Sequence, residues 1–381
     1  MKIGIDCRKF YDIVTNRGAG VERYSYHLIK TLLEIDKHND YVLFFYSDIS
    51  PETIYKVKGK NARVKIVKIQ RKKSSIPILG NHLSFSLLLN KEKLDLTLFL
   101  TGSMPLFYKK PSIVVVHDLA IYLFPEWFPD KQWFSTKVIF PRSVKKAKKI
   151  ITVSENTKKD LIKLFKVPEY KIIPIYPGVK VKGNYLPAEI EAVKKKYDIK
   201  KDFVLFLGTI EPRKNIINLI KAFSNYVFES EKELNLIIAG IRGWKYKKIF
   251  LELEDLNKRF TNSQIKYIGP VSNRERNILI GCCQVFVFPS QYEGFGFPVL
   301  EAMALDAPVV TGNNSSLKEI CQDSALLVDT SEVNEIRKGI KQVLESPEER
   351  NELIAKGRQK VKQFTWEKTV YKLLEVIKKD Q

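Results

Sequence analysis

The chain is poor in cysteine and histidine, has no long apolar run, and lacks the short signatures that announce metal or dinucleotide chemistry. Its four cysteines, Cys7, Cys282, Cys283 and Cys321, show no C-x-x-C spacing, which argues against a disulfide framework and a cysteine zinc site. No segment approaches the roughly 18 apolar residues a membrane-spanning helix requires, and the opening MKIGIDCRKF reads as a strand rather than a signal peptide. The expected compartment is therefore the cytoplasm. No D-x-D pair is present to hold Mg²⁺ or Mn²⁺ around a nucleotide, so no metal is expected. The dinucleotide pattern G-x-G-x-x-G is missing, and so are internal repeats and low-complexity tracts.

Lysine is plentiful. The 381 residues carry a formal charge of +22, and residues 1–180 hold 33 Lys and Arg against 16 Asp and Glu. Such a basic half attracts a polyanion, either nucleic acid or the anionic face of a membrane, although lysines that merely solvate a surface give the same count. No helix-turn-helix, RNP-like or zinc-finger pattern appears, and the basic clusters at 56–75 and 141–150 have no interleaved aromatic platform. A basic nucleic-acid-binding protein is the alternative from another class, and nucleic acid is not the expected partner.

Length implies two domains. Short β-branched and aromatic runs (2–6, 41–47, 63–69, 94–100, 112–118 and 149–154) alternate with helical patterns such as 21–35. After Gly, Pro and charge interrupt the pattern over 178–200, the alternation restarts at 202–209, 234–240, 265–270, 285–290 and 307–312. Two βαβ series predict an α/β protein with two doubly wound parallel sheets, 1–180 and 181–365, facing a cleft. In such sheets ligands bind beyond the carboxyl ends of the strands, so the loops there are the places to look.

Four such loops carry candidates. TNRGAGVERY places Gly18 and Gly20 before a helix, where a missing Cβ lets backbone amides approach an anion or a sugar, or simply allows a turn. His117 closes the strand SIVVV; its ring either hydrogen-bonds a substrate hydroxyl or is satisfied inside the fold. LGTIEPRKN ends its strand at Gly208 and sets Arg213 and Lys214 before the next helix, a diphosphate clamp without a metal. In YEGFGFPVLEA, Pro298 predicts a helix starting near Phe297, with Glu293 at the tip of the preceding loop and Glu301 one turn inside. Gly294 and Gly296 then leave the amides of 294–299, including Phe295 and Phe297, to face a phosphate or a sugar hydroxyl. Glu301 is placed to accept two hydrogen bonds from a ribose diol, and Glu293 to reach the sugar's anomeric region.

In this order the motifs RGAGVERY, VVVHDLAIYLFPEWF, ITVSENTKKDLI, IYPGV, FLGTIEPRKN, IAGIRGW, YIGPVSNRE and SQYEGFGFPVLEAMALDAPVV resemble the family 4 retaining glycosyltransferases of the GT-B fold. The resemblance covers essentially the whole chain. It implies a nucleotide-sugar donor on the second Rossmann-like domain, an acceptor on the first, and a last helix, 366–381, crossing back to the first. It further implies Lys214 on the donor diphosphate with Arg213 as helper, and Glu301 on the ribose. Glu293 falls beside the donor sugar, His117 near the sugar's 6-hydroxyl, and Gly20 against the diphosphate. GTIEPRKN is similar to mannosyltransferases of surface-polysaccharide assembly. GDP-mannose is therefore the expected donor, a UDP-sugar such as UDP-glucose the second choice, and a lipid-linked or polysaccharide glycan at the inner membrane face the expected acceptor. Two positions depart from the family pattern: Thr209 stands where many members have Arg, and Asp306 where many have Gly.

Overall fold

The computed structural model describes residues 1–15, 20–59, 63–70, 77–129, 133–181, 183–230, 232–259 and 264–379, without the side chains of 77–81 and 264. The chain forms two compact units. Unit 1 comprises Met1–Leu123, Asp130–Gly178 and Thr365–Gln381; unit 2 comprises Phe124–Pro129 and Val179–Phe364.

Unit 1 runs β1 (Lys2–Asp6), α1 (Gly20–Ile35), β2 (Asp40–Tyr46), α2 (Pro51–Lys58), β3 (Val64–Ile69), α3 (Pro77–Lys91), β4 (Leu96–Phe99) and β5 (Ser112–Val116). It continues with α4 (Ala120–Leu123), α5 (Phe140–Lys146), β6 (Lys149–Thr152), α6 (Glu155–Phe165) and β7 (Ile172–Pro174). Its seven strands lie in the order β3-β2-β1-β4-β5-β6-β7, all parallel. A parallel sheet covered on both faces has no polar side, which is why β5 is SIVVV with every residue buried.

Unit 2 runs α7 (Pro187–Lys196), β8 (Phe203–Leu207), α8 (Ile216–Ser230), β9 (Asn235–Ala239), α9 (Lys247–Asn257), β10 (Gln264–Gly269) and α10 (Asn273–Cys282). Then come β11 (Val285–Phe288), α11 (Phe297–Ala304), β12 (Val309–Gly312), α12 (Ser315–Cys321), β13 (Leu326–Val328), α13 (Val333–Glu345) and α14 (Pro347–Val361). Six parallel strands are ordered β10-β9-β8-β11-β12-β13. The final helix, α15 (Trp366–Lys378), belongs to unit 1. Thr365 caps it by accepting from the amide of Lys368, and Thr369 Oγ1 donates to the carbonyl of Tyr176 at 2.8 Å. Trp366, 4% exposed, stacks on His27 with ring centroids 5.5 Å apart. Two Rossmann-like units in one chain make this the GT-B fold class.

Every strand the alternation predicts is present. Two that it does not predict, β7 and β13, are three-residue edge strands, too short to show a period.

Candidate active site

Each sheet reverses its order once, between β1 and β4 in unit 1 and between β8 and β11 in unit 2. At such a point the loops leave the strand ends in opposite directions and open a crevice. In unit 2 those loops are 208–215 and 289–296, the segments holding Arg213, Lys214 and Glu293.

A 3₁₀ turn over Pro212–Lys214 ends at Asn215, held at φ +55°, a value an asparagine tolerates, with Nδ2 donating to the carbonyl of Thr330. The turn brings Lys214, 7% exposed, onto Glu293, also 7% exposed, and the ammonium donates to Oε1. Arg213 forks between two carboxylates: Nε and Nη2 donate to Glu211 Oε1 at 3.0 and 2.9 Å, and Nη1 to Glu293 Oε2 at 3.1 Å. Ser290 Oγ adds a 2.6 Å hydrogen bond to Glu293 Oε1. The cluster thus holds two cations and two anions and is neutral overall. Burial alone would raise the Glu293 carboxyl, but Arg213, Lys214 and the hydrogen bonds from Lys214 and Ser290 outweigh it and hold it below the ordinary carboxylate range.

The loop carrying Glu293 is fixed from behind by the residues after β12. Ser315 Oγ accepts from the Glu293 amide at 3.0 Å, and Ser316 Oγ donates to the carbonyls of Glu293 and Phe295 at 2.8 and 2.9 Å. Asn314 Nδ2 donates to the Ser290 carbonyl at 3.1 Å. Glu293, expected at the tip of the loop, is drawn inward by two cations.

Further positions have structural reasons of their own. Gly296, the N-cap of α11, has φ +112°, and a Cβ there would lie 2.8 Å from Leu317 and 2.9 Å from Ile320, so packing and backbone conformation already require glycine. Phe295, 4% exposed, lies 5.7 Å from Phe364 and 5.1 Å from Phe297, ring to ring, as a core residue. The amide of Val299 bonds to the Gly296 carbonyl at 3.1 Å, which removes it from the donors expected over 294–299. Gly294 is buried between Glu293 and Phe295. The amide of Gly208 is likewise taken, by Ala239 O at 3.0 Å, and Gly240 (φ +143°) crosses so close that a Cβ on it would lie 1.9 Å from the Gly208 carbonyl oxygen.

Glu301, one turn into α11 as expected, faces Arg276 of α10, with Nη1 3.3 Å from Oε1 and side-chain exposures of 15% and 11%. Asp306 has φ +62° and follows α11 as the left-handed residue of a Schellman end: the amide of Asp306 reaches Met303 O, and that of Ala307 reaches Ala302 O at 3.0 Å. This explains why glycine suits the position, and the Asp306 carboxylate instead takes a hydrogen bond from Arg358 Nε.

In unit 1 the ring of His117 leaves the end of β5, and its Nε2 lies 2.7 Å from the carbonyl of Leu100. Only a donor fits there, so the neutral ring carries its proton on Nε2 and presents Nδ1 as an acceptor. Tyr24 of α1 packs edge-on at 4.8 Å. Burial pushes the imidazole below its ordinary value. Gly20 opens α1, and a Cβ there would meet nothing within 4 Å. Residues 16–19, including Gly18, lie outside the described residues, as do 60–62 and 71–75 of the basic cluster at 56–75.

Sequence reasoning missed Glu211, Arg276, Ser290, Asn314, Ser315 and Ser316. The run TGNNSS after β12 obeys the same strand-end rule and could have been found by it; the Arg276 pairing has no local signature.

Comparison with known proteins adds three findings. The model of the family "Glycosyl transferases group 1" matches residues 189–360, and that of "Glycosyltransferase Family 4" matches residues 18–182. The chain is 33% identical over 273 residues to O-antigen chain mannosyltransferase B of Escherichia coli, covering 69% of this chain and 70% of that protein. It is 28% identical to O-antigen chain mannosyltransferase RfbU of Salmonella typhimurium, covering 62% and 61%. Among solved structures it superposes on Anabaena HepE in complex with UDP and glucose with a TM-score of 0.77 at 17% identity over the full length of both chains. It matches WaaG, a glycosyltransferase involved in lipopolysaccharide biosynthesis, with a TM-score of 0.72 at 15% identity over 98% of this chain and 99% of that one.

Proposed function

The chain belongs to the family 4, group 1 glycosyltransferases, and on that footing we propose that it is a retaining hexosyltransferase moving mannose from GDP-mannose to a hydroxyl of a lipid-linked or polysaccharide glycan. A UDP-sugar, glucose-type, is the second choice of donor. The mannose reading is supported by relatives named as O-antigen mannosyltransferases. The single observation that carries the donor site is the pair of cations, buried Lys214 and partly buried Arg213, at the switch point of unit 2.

The roles follow from charge. As the bond between sugar and diphosphate breaks, negative charge grows on the leaving phosphate, and Arg213 and Lys214 are already oriented to meet it. Their orientation needs no reorganisation, because Glu211 and Glu293 hold them. Metal independence is part of the proposal, since these two cations supply the charge. Glu293 is a poor nucleophile with its carboxylate engaged by two cations and a hydroxyl, which favours a same-face route over a double displacement. In that route the departing diphosphate accepts the acceptor's proton and retention follows. Glu301 binds the ribose, and Gly20 and His117 serve from unit 1.

Peripheral attachment to an anionic inner membrane face is proposed from the charge of residues 1–180 and from exposed Leu83, Leu87 and Trp133 in unit 1. Among the described residues no helix is long and apolar enough to cross a membrane. The test is thermal stabilisation by GDP, UDP and ADP and their sugars in EDTA, followed by NMR of the product's anomeric coupling. A shift specific to GDP and an α-linked mannoside support the reading; an inverted linkage overturns retention, and no shift with any nucleotide overturns the donor site.

A further inference from the structure

The ion pair between α10 and α11 extends the donor site. Arg276 is 9% exposed, on a helix anchored by Ile278, Leu279 and Ile280, each at most 2% exposed. The helix therefore does not need Arg276 for its packing, and a brace between two helices is made as well or better by apolar side chains, because burying two charges forfeits their hydration. The geometry of the pair shows what the charges achieve. Nε and Nη2 of Arg276 are both held by Asn277 Oδ1, at 3.1 and 3.0 Å, which fixes the plane of the guanidinium and aims Nη1 at Glu301. At 3.3 Å the contact orients the carboxylate by charge, and among the described residues the Glu301 carboxylate accepts no hydrogen bond. The carboxylate is thus fixed in place while its acceptor sites stay open, the arrangement required to receive the two hydroxyls of a vicinal diol.

Resting on the donor-site reading, we infer that Arg276 is a positioning residue that makes Glu301 selective for ribonucleotide donors. Arg276 acts through Glu301: without the guanidinium the carboxylate is free to rotate and to draw water, and the diol loses its fixed pair of acceptors.

The experiment compares GDP with 2′-deoxy-GDP, and UDP with 2′-deoxy-UDP, as ligands of wild type, Arg276→Leu, Arg276→Lys and Glu301→Gln. Binding is read by calorimetry, and donor KM and kcat are measured alongside. Wild type prefers the ribo form by about tenfold or more, as expected for losing the 2′-hydroxyl's one hydrogen bond to a charged group. Arg276→Leu and Glu301→Gln abolish the preference and raise donor KM by a larger factor than they lower kcat, and Arg276→Lys restores part of it. If Arg276→Leu keeps the wild-type ratio, the positioning role is overturned while the donor site stands. If Arg276→Leu does not fold, Arg276→Lys decides alone: an unchanged ratio and KM overturn the role, and an intermediate ratio supports it. If wild type binds no nucleoside diphosphate, the donor-site reading falls and this inference with it.

Discussion

Replacing Lys214 by Met, Glu293 by Gln, or both, tests whether the cluster in unit 2 is one electrostatic unit. The wild-type group of Glu211, Arg213, Lys214 and Glu293 is neutral. Lys214→Met leaves an excess negative charge, Glu293→Gln an excess positive one, and the double variant is neutral again with the Arg213–Glu211 pair intact. Removing one member of a buried pair costs about 3–5 kcal/mol, because the remaining charge keeps its desolvation and loses its partner. For a unit of this size that is a drop of about 6–20 °C in Tm. The double variant should lose less than the sum of the singles, with a coupling of about 2–3 kcal/mol. The assay is urea unfolding of all four proteins without ligand, combined as a double-mutant cycle. Additivity to within about 0.5 kcal/mol would refute the argument, because it would mean that water reaches the cluster and screens its charges.

His117→Phe should keep the thermal shift given by a nucleoside diphosphate and lower transfer at least tenfold, measured as initial rate; equal losses of both would place the residue in structure alone. The same variant carries a pH signature. The imidazole is depressed by burial, so the unfolded state takes up a proton first, and this part of the stability is lost as pH falls below about 6.5. Thermal scans from pH 8 to pH 5 should show a steeper decline for wild type than for His117→Phe. Gly296→Ala should cost about 2–4 kcal/mol in urea unfolding, from a left-handed φ and overlap with Leu317 and Ile320. Asp306→Gly should unfold at an equal or higher temperature, because glycine relieves the positive φ.

The fold was legible because its signal is local. A strand buried on both faces must be an apolar run, and LNLIIA or SIVVV cannot be read otherwise. The site was legible as far as topology forces function to strand ends, which located Lys214, Arg213 and Glu293 without revealing how they meet. Their meeting depends on residues 79 and 80 positions apart, and on Ser315 and Ser316 at the start of α12. The Gly296 pattern suits a ligand-facing loop, and left-handed backbone and contact with α12 suffice on their own to demand it. The Phe295 ring lies in the core, which leaves open the expected role of its backbone amide.

The neutral cluster sets a limit on how tightly the proposed donor site can hold a diphosphate. A nucleoside diphosphate entering it must share Arg213 and Lys214 with Glu293, whose carboxylate already occupies one direction of each cation. Part of the attraction is thereby cancelled before binding. This weakens donor and product alike, and it prevents the product diphosphate, which carries more negative charge at the phosphate than the donor, from becoming an inhibitor that does not leave. Glu293→Gln removes the competitor and retains the shape. It should bind GDP more tightly than wild type, by about tenfold for one unopposed charge in a partly buried site, and bind the sugar nucleotide with a smaller gain. Product release then limits turnover, so the variant should show a burst of one equivalent of product followed by a slow steady rate in rapid-quench measurements. A variant that binds GDP no more tightly than wild type, or that loses the burst together with the steady rate, would show that Glu293 does not oppose the diphosphate but acts on the sugar directly.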